Sequence, residues 1–130
     1  MSDGFASERT VTAKKEHKCG ECWRTIHPGE KYERLAGKWE GDFWNMKSCA
    51  HCSAFRKIID AVDNDFWEGA YGGIHAWVDD IGSSAAEVAY WHSKSKYSPL
   101  SLYRWSRWFG GQWRDRDGAL RTVPQVEAAA

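Results

Sequence analysis

The sequence predicts an α+β fold in which a small metal-stabilised hairpin and helix precede a mainly helical segment. Three observations carry this. All four cysteines of the 130-residue chain lie in two C-x-x-C pairs, Cys19-Gly-Glu-Cys22 and Cys49-Ala-His-Cys52. Between the pairs, polar and apolar residues alternate as in a half-buried strand. After them, Phe55, Ile58, Ile59 and Val62 recur at i, i+3, i+4 and i+7, which is one face of a helix.

A two-residue gap turns both thiolates of a pair toward one point. Two such knuckles supply four sulfurs, the closed tetrahedral shell of one structural Zn²⁺, with Cys19, Cys22, Cys49 and Cys52 as its expected ligands. Four thiolates on a dication leave a formal charge of −2, so the nearby Lys18 and Lys47 are candidates to offset it. His51 stands between Cys49 and Cys52, and His17 two residues before Cys19. With four cysteines available, both histidines are expected beside the ligands or at the surface.

Along the chain, residues 1–8 read as a flexible tail and Thr10–Ala13 as a short strand entering the site. Trp23-Arg24-Thr25-Ile26 is β-prone, and His27-Pro28-Gly29-Glu30 is a turn, because proline presets φ and glycine accepts positive φ. Tyr32–Ala36 against Phe43–Lys47 forms the expected hairpin, joined by a turn around Trp39, with Tyr32, Phe43 and Trp44 as packing residues. The helix after Cys52 is expected to turn Arg56 and Lys57 away from its apolar face and to end at Asp63-Asn64-Asp65. The unit so defined spans residues 9–66.

Residues 67–123 read as a Trp-rich helical segment packed on that unit, and residues 124–130 as a frayed tail. Gly69–Gly73 is a connector, lacking the lysine and hydroxyl of a phosphate-binding loop. Ile74, Trp77, Val78 and Ile81 repeat the helical spacing, with Gly82 placed as a residue just past the helix end. Ser84-Ala-Ala-Glu87 fits a capping box, and Ser98-Pro99 an N-cap followed by proline in the first turn. Leu102, Trp105, Trp108 and Phe109 give the last helical face. Asp117-Gly118 suggests a type I′ hairpin turn between short strands.

The order knuckle, hairpin, knuckle, helix resembles a treble-clef zinc finger. Ile26-His-Pro-Gly-Glu-Lys-Tyr32 and Lys47-Ser-Cys-Ala-His-Cys52, with the first C-x-x-C, resemble the treble clefs of small, mostly uncharacterised bacteriophage and prophage proteins. The resemblance covers residues 15–65. It implies the four-cysteine treble-clef fold, the four cysteines as metal residues and a viral setting, but no particular activity.

Composition narrows the function. No run approaches the ~18 apolar residues of a membrane span, and the N-terminal residues show no basic and apolar secretory signal. A cytoplasmic setting is therefore expected, the host bacterial cytoplasm if the chain is phage-encoded. Net charge is zero but unevenly spread: residues 58–93 hold seven acids and no Lys or Arg, whereas residues 94–130 hold seven bases against three acids.

Catalysis is not expected, because four cysteines close the metal shell. A nuclease of the HNH type, which shares the knuckles, also needs a histidine base on the returning strand, and Asp42–Lys47 has none. His75 and Asp79 at i, i+4 suggest a surface ion pair, with His92, Asp80 and Glu87 nearby. No small-molecule substrate is evident. Arg104, Arg107, Trp113, Arg114 and Arg116 are the expected partner-binding residues, since Trp and Arg dominate protein hot spots, while Trp105 and Trp108 read as core. The chain is thus read as a non-enzymatic binding module that engages a host protein. The alternative is a nucleic-acid-binding finger whose C-terminal rings stack bases.

Overall fold

The computed structural model describes residues 5–39, 42–62 and 73–125. The described residues form a mixed α/β structure with four helices and two small antiparallel sheets. The larger sheet has three strands in the order β1 (Phe5–Thr12), β4 (Lys31–Trp39), β5 (Asp42–Cys49), and the smaller pairs β2 (His17–Lys18) with β3 (Thr25–Ile26). Helices α1 (Ala50–Val62), α2 (Gly73–Asp80), α3 (Ala85–His92) and α4 (Pro99–Gly110) follow.

The hairpin is longer than alternation alone predicts, running in register from Tyr32↔Cys49 to Trp39↔Asp42. Trp39, expected in the turn, is the last residue of β4. The side chains of Phe43 and Trp44 lie outside what is described, as do residues 63–72, where the end of α1 and the glycine-rich connector were expected. The expected loose tail is corrected from Phe5 onward, because β1 pairs with β4 from Phe5↔Lys38 to Thr12↔Lys31. That strand is held by long-range pairing, and its own residues are mostly polar.

On β4, Leu35 and Glu33 face α1 and are buried, whereas Arg34 and Ala36 are exposed on the opposite side. Phe55 of α1 anchors the helical half. Its ring lies 6.0 Å from Trp77, 6.4 Å from Trp105 and Phe109 and 5.7 Å from Trp113, mostly in edge-on contacts. Ile58 and Ile59 are fully buried beside it.

Arg56 is not solvated as expected, but buried. Its guanidinium lies 3.7 Å from Glu21 of the first knuckle and 3.8 Å from Glu33 of β4, while Lys57 reaches Glu33 from the surface at 3.3 Å. The group therefore joins knuckle, helix and sheet by charge, in a place where burial without partners would be costly.

The serine caps follow the sequence, while the Glu87 carboxylate, expected to close the box, accepts from Trp91 Nε1 at 3.1 Å. Ser84 Oγ accepts from Glu87 N at 3.2 Å, and Ser98 Oγ from Ser101 N at 3.1 Å with Pro99 next in line. Gly82 differs in its reason. It has no positive φ, but a Cβ there would stand 2.7 Å from Ser106 Oγ and 2.9 Å from the Trp77 ring, so it is the contact between α2 and α4 that excludes a side chain.

The expected I′ hairpin is not formed. Asp115 Oδ1 accepts from Asp117 N and Ala119 N at 2.9 and 3.0 Å, and this side-chain turn leaves one bridge, Arg114↔Leu120, in place of a ladder. The His75–Asp79 pair is also replaced: His75 Nε2 donates to the Glu21 carbonyl at 2.6 Å. His92 is buried against Trp77 at 5.5 Å, with no hydrogen-bond partner among the described residues.

Candidate metal centre

The first knuckle closes between β2 and β3. Cys19 N donates to the Arg24 carbonyl at 2.9 Å and Trp23 N to the Cys19 carbonyl at 3.1 Å, a turn in which Trp23 takes φ 68°. Gly20 N donates to the Lys47 carbonyl at 2.7 Å, tying this knuckle to β5. A Cβ on Gly20 would stand 2.8 Å from Met46 Cγ and 3.2 Å from the Lys47 carbonyl, so a larger residue here would have to displace the Met46 side chain. The second knuckle is simpler: β5 ends on Cys49, α1 begins at Ala50, and Cys52 falls in its first turn.

The four thiols meet. Their sulfurs all lie within 4.8 Å of one another and every cysteine is buried. Cys22 Sγ and Cys49 Sγ are 3.8 Å apart. That separation matches the edge, about 3.8 Å, of a tetrahedron whose sulfurs stand about 2.3 Å from a shared ion. A disulfide would need about 2.0 Å, and all four cysteines are free. The donor set therefore fits one thiolate-bound metal ion.

The backbone prepares the sulfurs for charge. Cys19 Sγ accepts from the amides of Glu21, Cys22 and Cys49 at 3.4, 3.5 and 3.3 Å, and Cys49 Sγ from the Cys52 amide at 3.4 Å. Hydrogen bonds among the thiols then divide the protons. Cys49 is pushed far down by Cys19, then Cys22 and Cys52, and Cys19 is lowered first by Cys22. Cys22 is pushed far up by Cys19 and Cys49, and Cys52 by burial first. Four sulfurs this close do not all ionise unaided, and a central cation removes that limit.

A buried cation that the sequence reading did not single out, Arg24, faces the tetrad at Cys49. Lys18 donates its Nζ to Thr25 Oγ1 at 2.8 Å. Arg24 is 1% exposed; its Nη1 donates to the Thr25 carbonyl at 3.0 Å, and its Nη2 to Glu30 Oε1 at 2.9 Å. Burial works against its charge, but the Glu30 carboxylate and the Cys49 thiolate hold its pKa above the ordinary value. An arginine in a short β-prone stretch carries no sequence signal for this role; only the fold turns it inward.

His51 extends the same network. Its Nε2 lies 2.5 Å from the Arg121 carbonyl, which can only accept, so Nε2 bears the proton and Nδ1 accepts from Arg24 Nη2 at 3.4 Å. His51 thus supports the site without being a member of the sulfur set. His17 stands apart, its ring 5.0 Å from Tyr32, and desolvation followed by Lys47, Lys15 and Arg34 lowers its pKa.

Trp113 corrects the sequence reading most sharply. Expected among the partner-binding residues, it is fully buried, and its Nε1 donates to Cys52 Sγ at 3.2 Å. The chain turns in sharply after α4, with Gln112 and Trp113 at φ 59° and 62°. Arg121 N then donates to the Trp113 carbonyl at 2.7 Å, and its guanidinium lies 4.7 Å over Trp108. Of the remaining expected partner residues, Arg104, Arg107 and Arg116 are exposed, and Arg114 Nη1 donates to the Gly118 carbonyl at 3.0 Å.

Glu30 yields a pH prediction. Partial burial pushes its pKa up, but Arg24 and the His27 amide prevail and hold it below the usual carboxylate value. A depressed folded pKa adds stability above the unfolded pKa, and this is lost as pH falls through the folded one. Glu30→Gln is therefore expected to be less stable than the parent at pH 7 by about 1 kcal/mol, since Glu30 keeps contact with solvent. Denaturant melts should show the gap closing on the acid side of the carboxylate range; a gap independent of pH would remove this role for the charge.

Among the described residues, no helix is long and apolar enough to cross a membrane. Comparison of the chain with protein-family models, with curated proteins and with solved structures finds no match.

Proposed function

We propose that the chain is a zinc-stabilised binding module of treble-clef type that acts by association and not by catalysis. The observation that carries this is the buried tetrad of Cys19, Cys22, Cys49 and Cys52, with sulfurs within 4.8 Å. A shell of four thiolates leaves a tetrahedral ion no open position for substrate or water, which is the arrangement of a structural site. Zinc is the metal this reading assigns, with mononuclear iron as the other ion that a tetrahedral sulfur set suits. Free thiols agree with a reducing, cytoplasmic setting.

The resemblance to small phage and prophage fingers supports a viral accessory protein that engages a host protein. Exposed rings supply a surface for it: Tyr90 and Trp91 of α3 are 77% and 59% exposed, with their ring centroids 5.2 Å apart. Aromatic anchors of this type dominate protein hot spots, a role for which the buried Trp113 is unsuited.

The test is metal stoichiometry on chain purified without added metal. One zinc per chain and no visible thiolate absorption is the expected result. A coloured iron site would replace zinc, and a folded chain with no bound metal would overturn the reading.

A further inference from the structure

The open face of the three-stranded sheet carries a row of cations. The register places Arg9 opposite Arg34 and Arg34 opposite Lys47, one from each strand. Directly opposed residues point to the same face, so all three project together. Arg9 and Arg34 are exposed and Lys47 half-buried. Adjacent strands lie about 4.8 Å apart, so the row crosses roughly 10 Å of surface.

Like charges set directly opposite one another destabilise a sheet. Among the described residues no carboxylate pairs with any of the three; the ion pairs of this region belong to Arg24, Arg56, Lys57 and His27. Among the residues whose side chains are described, Ala36 and Asn45, the next rung on this face, are exposed and add neither an acid nor a large apolar anchor. A protein interface of ordinary type needs such an anchor at its centre. A polyanion needs only the cations.

The first knuckle is tied to one end of the row, where Gly20 N donates to the Lys47 carbonyl at 2.7 Å. Tyr32, two residues before Arg34, lies on the same side but is buried, and the half-buried His17 ring packs on it at 5.0 Å, so neither ring is itself a stacking surface. The knuckle bearing His17 and Lys18 also presents Trp23, 64% exposed and held at φ 68°. A large aromatic residue kept in left-handed backbone and in water is an outlier of the kind that collects at binding sites.

We propose that this sheet face binds single-stranded nucleic acid, with Arg9, Arg34 and Lys47 on successive phosphates and Trp23 stacking a base. Cations that follow the backbone beside rings that accept any base are the means by which single strands are bound without sequence preference. The proposal goes beyond the binding-module reading by adding a second face, on elements other than α3, and depends on that reading only for the metal-ordered fold.

The test is fluorescence anisotropy of a labelled thymidine 20-mer titrated with zinc-loaded full-length chain at 50 and 200 mM salt. Three phosphate contacts predict a loss of roughly 20-fold in affinity across that interval. The triple variant Arg9→Gln, Arg34→Gln, Lys47→Gln should bind at least tenfold more weakly at 50 mM salt and lose most of the salt dependence. Trp23→Ala should weaken binding about tenfold with the salt slope kept. Arg104→Gln with Arg107→Gln, on α4, should change nothing. Zinc content and melting of each variant, recorded alongside, separate lost binding from lost fold. No binding at 50 mM salt overturns the proposal, as does a folded triple variant that binds like the parent. Equal displacement by poly-glutamate, tighter binding of a duplex, or loss only in the α4 variant would likewise overturn it.

Discussion

Treating the zinc-loaded chain with a strong chelator is expected to abolish its cooperative unfolding transition, and Cys49→Ser is expected to do the same. Apparent binding energies of structural zinc are about 10–16 kcal/mol, as large as the whole stability of an ordinary domain, about 5–15 kcal/mol. The centre is also where separate elements meet. Cys19 and Cys22 close the β2–β3 knuckle, Cys49 ends β5, and Cys52 opens α1. Without the ion, four buried sulfurs with conflicting proton demands replace a closed shell, and Arg24 loses the thiolate it faces. The loss should spread beyond residues 10–65, because α2, α4 and Trp113 all pack on Phe55 of α1. Hydrogen exchange read by mass spectrometry checks this directly: amides of β4, β5 and α1 should lose protection in the metal-free chain. If that chain keeps native protection and a single sharp melt, the metal is peripheral and the reading fails.

What the sequence made legible was whatever local spacing encodes. The two C-x-x-C pairs, the face of Phe55, Ile58 and Ile59, and the caps at Ser84 and Ser98 are all statements about residues a few positions apart. The misses share a different cause. Taken whole, β1 is mostly polar, without a clear alternation, and exists as a strand because β4 offers it a partner. Arg24 and Arg56 look like surface cations, and only tertiary approach gives them Glu30, Glu21 and Glu33 and turns them into interior groups. Trp113 follows two glycines, a context that reads as loop, and no spacing rule connects it with Cys52, sixty-one residues earlier. Metal ligands are marked in sequence by their chemistry; the residues that orient them are marked only by the fold.

Trp113 makes that distinction measurable. The ring is fully buried between Phe55 and Phe109, with centroids 5.7 and 6.3 Å away, and beside His51 at 5.5 Å. Its backbone sits at φ 62°, a conformation costing a non-glycine residue about 1–3 kcal/mol. Ring burial and the bond to Cys52 Sγ are what outweigh this cost. Trp113→Ala removes both and is expected to destabilise the chain by about 3–5 kcal/mol, shown as a lower denaturant midpoint. Trp113→Phe keeps most of the packing and removes the N–H donor, so its stability loss should be smaller. Its effect on the metal should be disproportionate, because an orienting partner of a ligand contributes about 10–100-fold in affinity. Competition with a chromogenic chelator reads that quantity separately from the melt. Metal binding weakened about 10–100-fold in the Phe variant, with the zinc-loaded melt lowered by no more than that weakening requires, about 1.4–2.7 kcal/mol, assigns Trp113 to the centre through its hydrogen bond. Equal metal affinity in parent and Phe variant would reduce Trp113 to packing alone, and the C-terminal turn that carries it would then have no part in holding the ion.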